Sequence, residues 1–215
     1  MIRNLLGLTL FFLTLNVHAQ SNVSEMSLGS TPLTEQKFTL IPTVGFTVFS
    51  ATGDTAADLS STQGFAAGLL SDLKVTDFGL LFETGLLYLQ QGDSVARTNF
   101  TRTNNYLAIP VLAKYSFFRT APVAFSIRAG LTPAVLISAK TERQQSGSTL
   151  ARNAKDDMRE YDVQPTFGFG GQFSLGEHYA LAVDLTYMRG LIDFVKSNQS
   201  TLYNEGYMVS GGLVF

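Results

Sequence analysis

The chain has 215 residues with no cysteine and no tryptophan, and its 15 Lys+Arg against 17 Asp+Glu give a formal net charge of −2. That length suits one all-β domain or two small ones. The acidic balance leaves no electrostatic footprint for nucleic acid, and without cysteine there is no disulfide, thiolate nucleophile, thiolate metal site or lipoprotein anchor.

Residues 1–19 read as a secretory signal peptide. Arg3 supplies the positive start, LLGLTLFFLTL the apolar run, and VHA the small-residue spacing that predicts cleavage after Ala19. The run is too short to cross a bilayer as a helix. The mature chain then begins at Gln20 and, without Arg3, has fourteen basic against seventeen acidic residues, a net charge of −3. Residues 20–36 are expected to form a polar periplasmic tail, and residues 37–215 the body of the protein.

From residue 37 onward the apolar period is two. In FTLIPTVGFTVF the positions Phe38, Leu40, Val44, Phe46 and Val48 share one face, while Thr39, Thr43, Gly45 and Thr47 share the other. Eight such segments follow one another, at roughly 37–50, 63–74, 77–91, 105–118, 123–139, 160–175, 178–192 and 206–215. Most reach ten residues or more, the length that crosses a bilayer at a tilt, against about five or six for an ordinary strand. Their connections alternate long and short: ATGDTAADLSST, KVTD, GDSVARTNFTRTN, FRTAP, KTERQQSGSTLARNAKDDMRE, LGEH and VKSNQSTLYNE. Long extracellular loops and short periplasmic turns mark an outer-membrane barrel. The expected fold is therefore an all-β, eight-stranded, antiparallel, up-and-down transmembrane barrel, with both termini on the periplasmic side.

The face opposite the apolar one decides between a soluble barrel and a membrane one. Water would demand many Lys, Glu and Asp there. The sequence instead supplies Gly, Ala, Ser and Thr with charges spaced far apart, which suits a lumen that eight strands leave only wide enough for side chains. Tyr88, Tyr161, Tyr187 and Tyr207 fall near the long-loop ends, and Tyr115, Tyr179 and Phe215 near the short-turn ends, as two interfacial girdles would.

Parity places Glu83, Lys114, Arg128 and Asp184 inside, where two acids and two bases predict a polar plug. Pro110 shares that inner face. With Pro42, Pro133 and Pro165 it sits in the outer third of a strand, where a bulge is expected to accommodate it. The row Tyr207, Val209, Leu213 and Phe215 resembles the C-terminal strand that barrel-assembly machinery reads.

Three blocks resemble the PorT-like outer-membrane β-barrel domain family. Tyr88, Gln90 and Gly92 match its Tyr-x-Gln-x-Gly strand end. Tyr106, Leu107, Ile109, Pro110, Lys114 and Tyr115 match its Tyr-Leu-x-Ile-Pro-x-x-x-Lys-Tyr strand. Ala129, Gly130, Ser138, Ala139 and Lys140 match the block after it. The likeness extends loosely over 38–215 and implies the fold much more than any activity. Ala108 stands where the family usually carries glutamate, so Glu83 or Asp184 must serve as the partner of Lys114.

Three classes of function then compete. A lipid- or peptide-cutting enzyme needs a histidine with a serine or carboxylate, but the one histidine after residue 19, His178, falls in a short turn at the periplasmic end. A narrow pore for small solutes or ions requires an open lumen, which Phe49, Leu87, Leu89 and Leu112 would help close. A structural or partner-binding barrel fits best, with no catalysis, cofactor or metal. Its partners are outer-membrane lipid and lipopolysaccharide, the assembly machinery during biogenesis, and a protein at loop 140–160, which carries Lys140, Arg143, Arg152, Lys155 and Arg159.

Overall fold

The computed structural model describes residues 36–53, 59–95, 99–117, 122–145, 148–176, 178–195 and 201–215. The expected signal peptide, nearly all of the expected tail, and parts of the connecting loops lie outside the described residues.

The alternating segments form ten strands: β1 (Phe38–Gly53), β2 (Ser60–Lys74), β3 (Leu80–Val95), β4 (Phe100–Ala108), β5 (Val111–Phe117), β6 (Val123–Gln145), β7 (Ser148–Asn153), β8 (Tyr161–Ser174), β9 (Ala180–Arg189) and β10 (Leu202–Val214). Each pairs antiparallel with its neighbours in the ring β1-β2-β3-β4/β5-β6-β8-β9-β10, and β10 returns to β1 from Gly212↔Thr43 to Leu202↔Gly53. Closure leaves the ring no open edge. Ten strands make eight staves, because β4 and β5 are one stave interrupted at Ile109–Pro110 and β7 pairs only with β6, off the ring.

Pro110 has no N–H to give the ladder, and the stave breaks there. Ile109 keeps the seam closed by donating its N–H to the Pro133 carbonyl at 2.9 Å. The bulge expectation needs correcting for the other three prolines. Pro42, Pro133 and Pro165 stand in unshifted register opposite Leu69, Val163 and Leu131. Each costs the ladder one donor and no register change.

A register shift does occur on β6, where Asn105↔Ser138 is followed by Tyr106↔Leu136 and Ile137 is left extra. The extra residue flips the parity beyond it. Leu136 and Ala139 are both buried, while Ile137 and Lys140 are exposed.

The strands also run further than the period-two pattern suggested. The segment expected as a long loop after residue 91 continues β3 to Val95 and starts β4 at Phe100, and the pair Asp93↔Arg102 sits in the ladder between them. Likewise the expected loop 140–160 is mostly a hairpin: β6 continues to Gln145 and pairs with β7 from Lys140↔Asn153 to Gln145↔Ser148. Polar residues on both faces hid this pairing from the apolar alternation.

Side chains divide as the alternation requires. Phe46 is 77% exposed and Phe49, three positions on, only 1%. An outward apolar band runs around the ring through Val44, Leu69, Leu86, Ile127, Phe169, Leu185 and Val209. Along β9 and the residue before it, the outward row from Tyr179 to Tyr187 spans nine residues, within the roughly 9–11 that carry a tilted strand across a bilayer's apolar zone. Aromatic contacts mark its two margins. Toward the long loops, Phe65 stacks on Tyr88 at 5.1 Å and Tyr187 meets Tyr207 at 5.3 Å. Toward the short turns, Tyr115 packs edge-on to Phe117 at 4.7 Å and Tyr179 to Phe215 at 5.7 Å.

Candidate functional site

The short-turn half of the lumen gathers five buried or nearly buried charges. Lys114 and Arg128 face each other directly across the β5–β6 ladder, and Asp72 and Glu83 do the same across β2–β3. Like charges opposite each other on one face repel, so each pair needs the other. Lys114 Nζ donates to Asp72 Oδ2 at 2.8 Å and to Glu83 Oε2 at 3.1 Å. Arg128 Nη1 donates to both oxygens of Glu83, at 2.8 and 2.9 Å. Arg128 Nη2 reaches Asp184 Oδ1 at 3.0 Å and Thr186 Oγ1 at 3.2 Å. Glu83, at 1% exposure, is the centre that holds the two cations together.

All four residues placed inside by parity thus meet in one network. The sequence reading missed a fifth, Asp72, whose carboxylate is as close to Lys114 as any. Its signal was available: Asp72 lies two residues after the buried Leu70 and between the outward Leu69 and Leu73.

Glycine on the neighbouring stave makes room for the network. A Cβ on Gly168 would stand 2.5 Å from Arg128 Nε, and one on Gly170 would collide with Asp184 Oδ1. Beside the network, Ile41, Leu70, Ala180, Ala182 and Val214 form an apolar cluster in the same, short-turn half of the lumen.

The long-loop half is filled differently. Phe49, Leu87, Leu89, Tyr106, Leu136, Met188 and Met208 pack across the interior as one apolar cluster. Leu112, the fourth residue expected to close the lumen, is also buried, at 3%. Around the cluster, Gln91 and Gln164 exchange amide hydrogen bonds at 3.1 and 3.2 Å. Asp162 Oδ2 accepts from Gln164 Nε2 at 2.9 Å, and Asn204 Nδ2 donates to the Tyr106 hydroxyl at 3.1 Å. Higher still, Arg102 makes a two-pronged pair with Asp93 at 2.7 and 2.6 Å and lies 4.5 Å over the Phe194 ring. Phe194, after β9, is 2% exposed, so the described residues 190–195 fold over the mouth. Asp162 Oδ1 helps hold them there by accepting the Ile192 N–H at 3.4 Å.

The remaining residues singled out in the sequence lie elsewhere. His178 sits in the β8–β9 turn, at the short-turn end, 6.5 Å from the Tyr179 ring. Tyr207, Val209 and Leu213 form an outward row on β10, with Phe215 following. Among the described residues no group of three or more His, Asp or Glu is placed to hold a metal ion.

A family model, described as an outer membrane protein beta-barrel domain, matches residues 18–196. The chain belongs to that family. It is an integral outer-membrane β-barrel of the Gram-negative envelope. Among solved structures it is similar to Neisserial surface protein A, at 14% identity and a TM-score of 0.47, over 83% of this chain and 97% of that one. It is also similar to OprG of Pseudomonas aeruginosa, at 12% identity and 0.47, over 88% and 99%. The attachment invasion locus protein Ail of Yersinia pestis matches at 12% identity and 0.43, over 84% and 100%. No curated protein matches this chain.

Proposed function

We propose that this barrel is a closed outer-membrane protein whose role is structural or partner-binding through its long loops, and that it belongs to the PorT-like branch of its family. The observation that carries this reading is the filled lumen. A five-residue ion network occupies one half and an apolar cluster capped by Phe194 the other. Buried carboxylates that share two cations resist opening, because separating them would leave charges unpaired in a dry interior. The reading assigns the long-loop end to the outside, the short turns to the periplasm, and residues 1–19 to a cleaved leader. It assigns no catalysis, since His178 lies at the end away from the long loops. Row Tyr207, Val209, Leu213 and Phe215 is the strand offered to the assembly machinery, and the hairpin within 140–160 is the surface offered to a protein partner.

Solute flux separates closed barrel from narrow pore. Liposomes carrying the refolded protein are expected to swell no faster in small sugars than empty liposomes. Swelling that rises with protein content would establish the pore instead.

A further inference from the structure

We infer that the outward face of the β6–β7 hairpin is a headgroup site for a phosphorylated glycolipid of the outer leaflet, with Lys140 as its phosphate-binding residue. The inference rests on the outward assignment of the long loops and adds a ligand to them.

Along β6 the outward residues are apolar through Leu131, Val135 and Ile137, each more than two-fifths exposed. The bulge at Ile137 ends that stripe, and the outward face continues as Lys140 and Glu142. Tyr161, paired with Val135 and 57% exposed, marks the aromatic margin at the same height. Lys140 lies three residues beyond Ile137, about 10 Å along the strand and ~8 Å along the membrane normal at the usual barrel tilt. The polar headgroup layer is roughly that thick. An exposed ammonium is thereby held where lipid phosphates lie.

The local surface is shaped for such a group. Lys140 opens on a cavity of about 240 Å³ lined by Ser138, Glu142, Ala151, Arg152 and Asn153. Thr103 and Asn153 flank it as its two cross-strand partners, offering a hydroxyl and an amide to phosphate oxygens. Small residues form the floor, so a sugar ring can approach the sheet. Glu142, two positions higher, would repel a second phosphate and instead accepts hydrogen bonds from sugar hydroxyls. A second cavity of about 320 Å³ shares Glu142 and extends the groove toward Thr101 and Thr149. Phosphate is therefore bound low, beside the acyl chains, and sugar high.

The test is native mass spectrometry of the refolded barrel titrated with a monophosphorylated glucosamine lipid and with its dephosphorylated form. Wild type is expected to retain the phosphorylated lipid at least ten-fold more tightly. Lys140→Gln is expected to lose that preference while keeping its unheated gel mobility. Arg143→Gln, three residues along β6 and on the opposite face, is expected to keep the preference. Equal retention of both lipids by wild type, or an unchanged preference in Lys140→Gln, would overturn the site. Liposome swelling by wild type alongside an intact preference would refute the closed lumen and leave the lipid site standing.

Discussion

Lys114 bridges two carboxylates that are not equivalent. Glu83 retains Arg128 when Lys114 is removed, whereas the only cation within hydrogen-bonding distance of the Asp72 side chain among the described residues is Lys114. Lys114→Met should therefore destabilise the barrel by about 3–5 kcal/mol, the usual cost of stranding a buried charge, as read by urea unfolding in detergent. Adding Asp72→Asn to Lys114→Met should recover more of that loss than adding Glu83→Gln. Equal recovery by the two second substitutions would mean that the charges share their energy evenly, against the geometry. Strict parity along β3, β5, β6 and β9 made four of the five residues legible, because a two-residue period assigns every side chain a face. The same parity, counted from Leu70 along the segment 63–74, also puts Asp72 inside. The Asp93–Arg102 pair escaped notice because residues 92–104 read as a loop, and polar residues there look solvated unless the ladder is known to continue past them.

At the level of the strands, β8 shows how sequence makes space for the site. Gly168 and Gly170 lie opposite Arg128 and Asp184 in the ladder, where any Cβ would enter the network. Gly170→Leu should lower stability by roughly 1–3 kcal/mol, the cost of overpacking a filled interior. Gly171→Leu points outward, where a Cβ meets only phenylalanine rings at 3.6 Å and beyond, and should be tolerated. Comparing the two urea midpoints checks this, and equal losses would show that strand propensity, not the network, sets the glycine requirement. The eight staves could be read from alternation because each presents apolar side chains to lipid every second residue. The β6–β7 hairpin could not, since above the apolar margin both of its faces meet water and no periodic contrast remains. Pro110 was expected to need a local distortion, and the ring breaks its stave there. The other three prolines face outward within ladders and need none.

Taken as a whole, the barrel is held by closure from outside and by charge from within. The β1–β10 seam joins the ends of the described body through eleven register pairs, so unfolding it must open the entire ring. The protein should accordingly show heat-modifiable gel mobility and a β-dominated circular dichroism spectrum in detergent. A helical spectrum would be incompatible with the ring. The central claim is that the interior side chains leave no continuous path for ions. Single-channel recording in planar bilayers at high salt tests it most directly. Wild type should give no stable conductance steps, while Lys114→Met combined with Phe194→Ala, which removes a cation from one half and the cap from the other, should give measurable ones. Steady conductance steps from wild type itself would contradict the account.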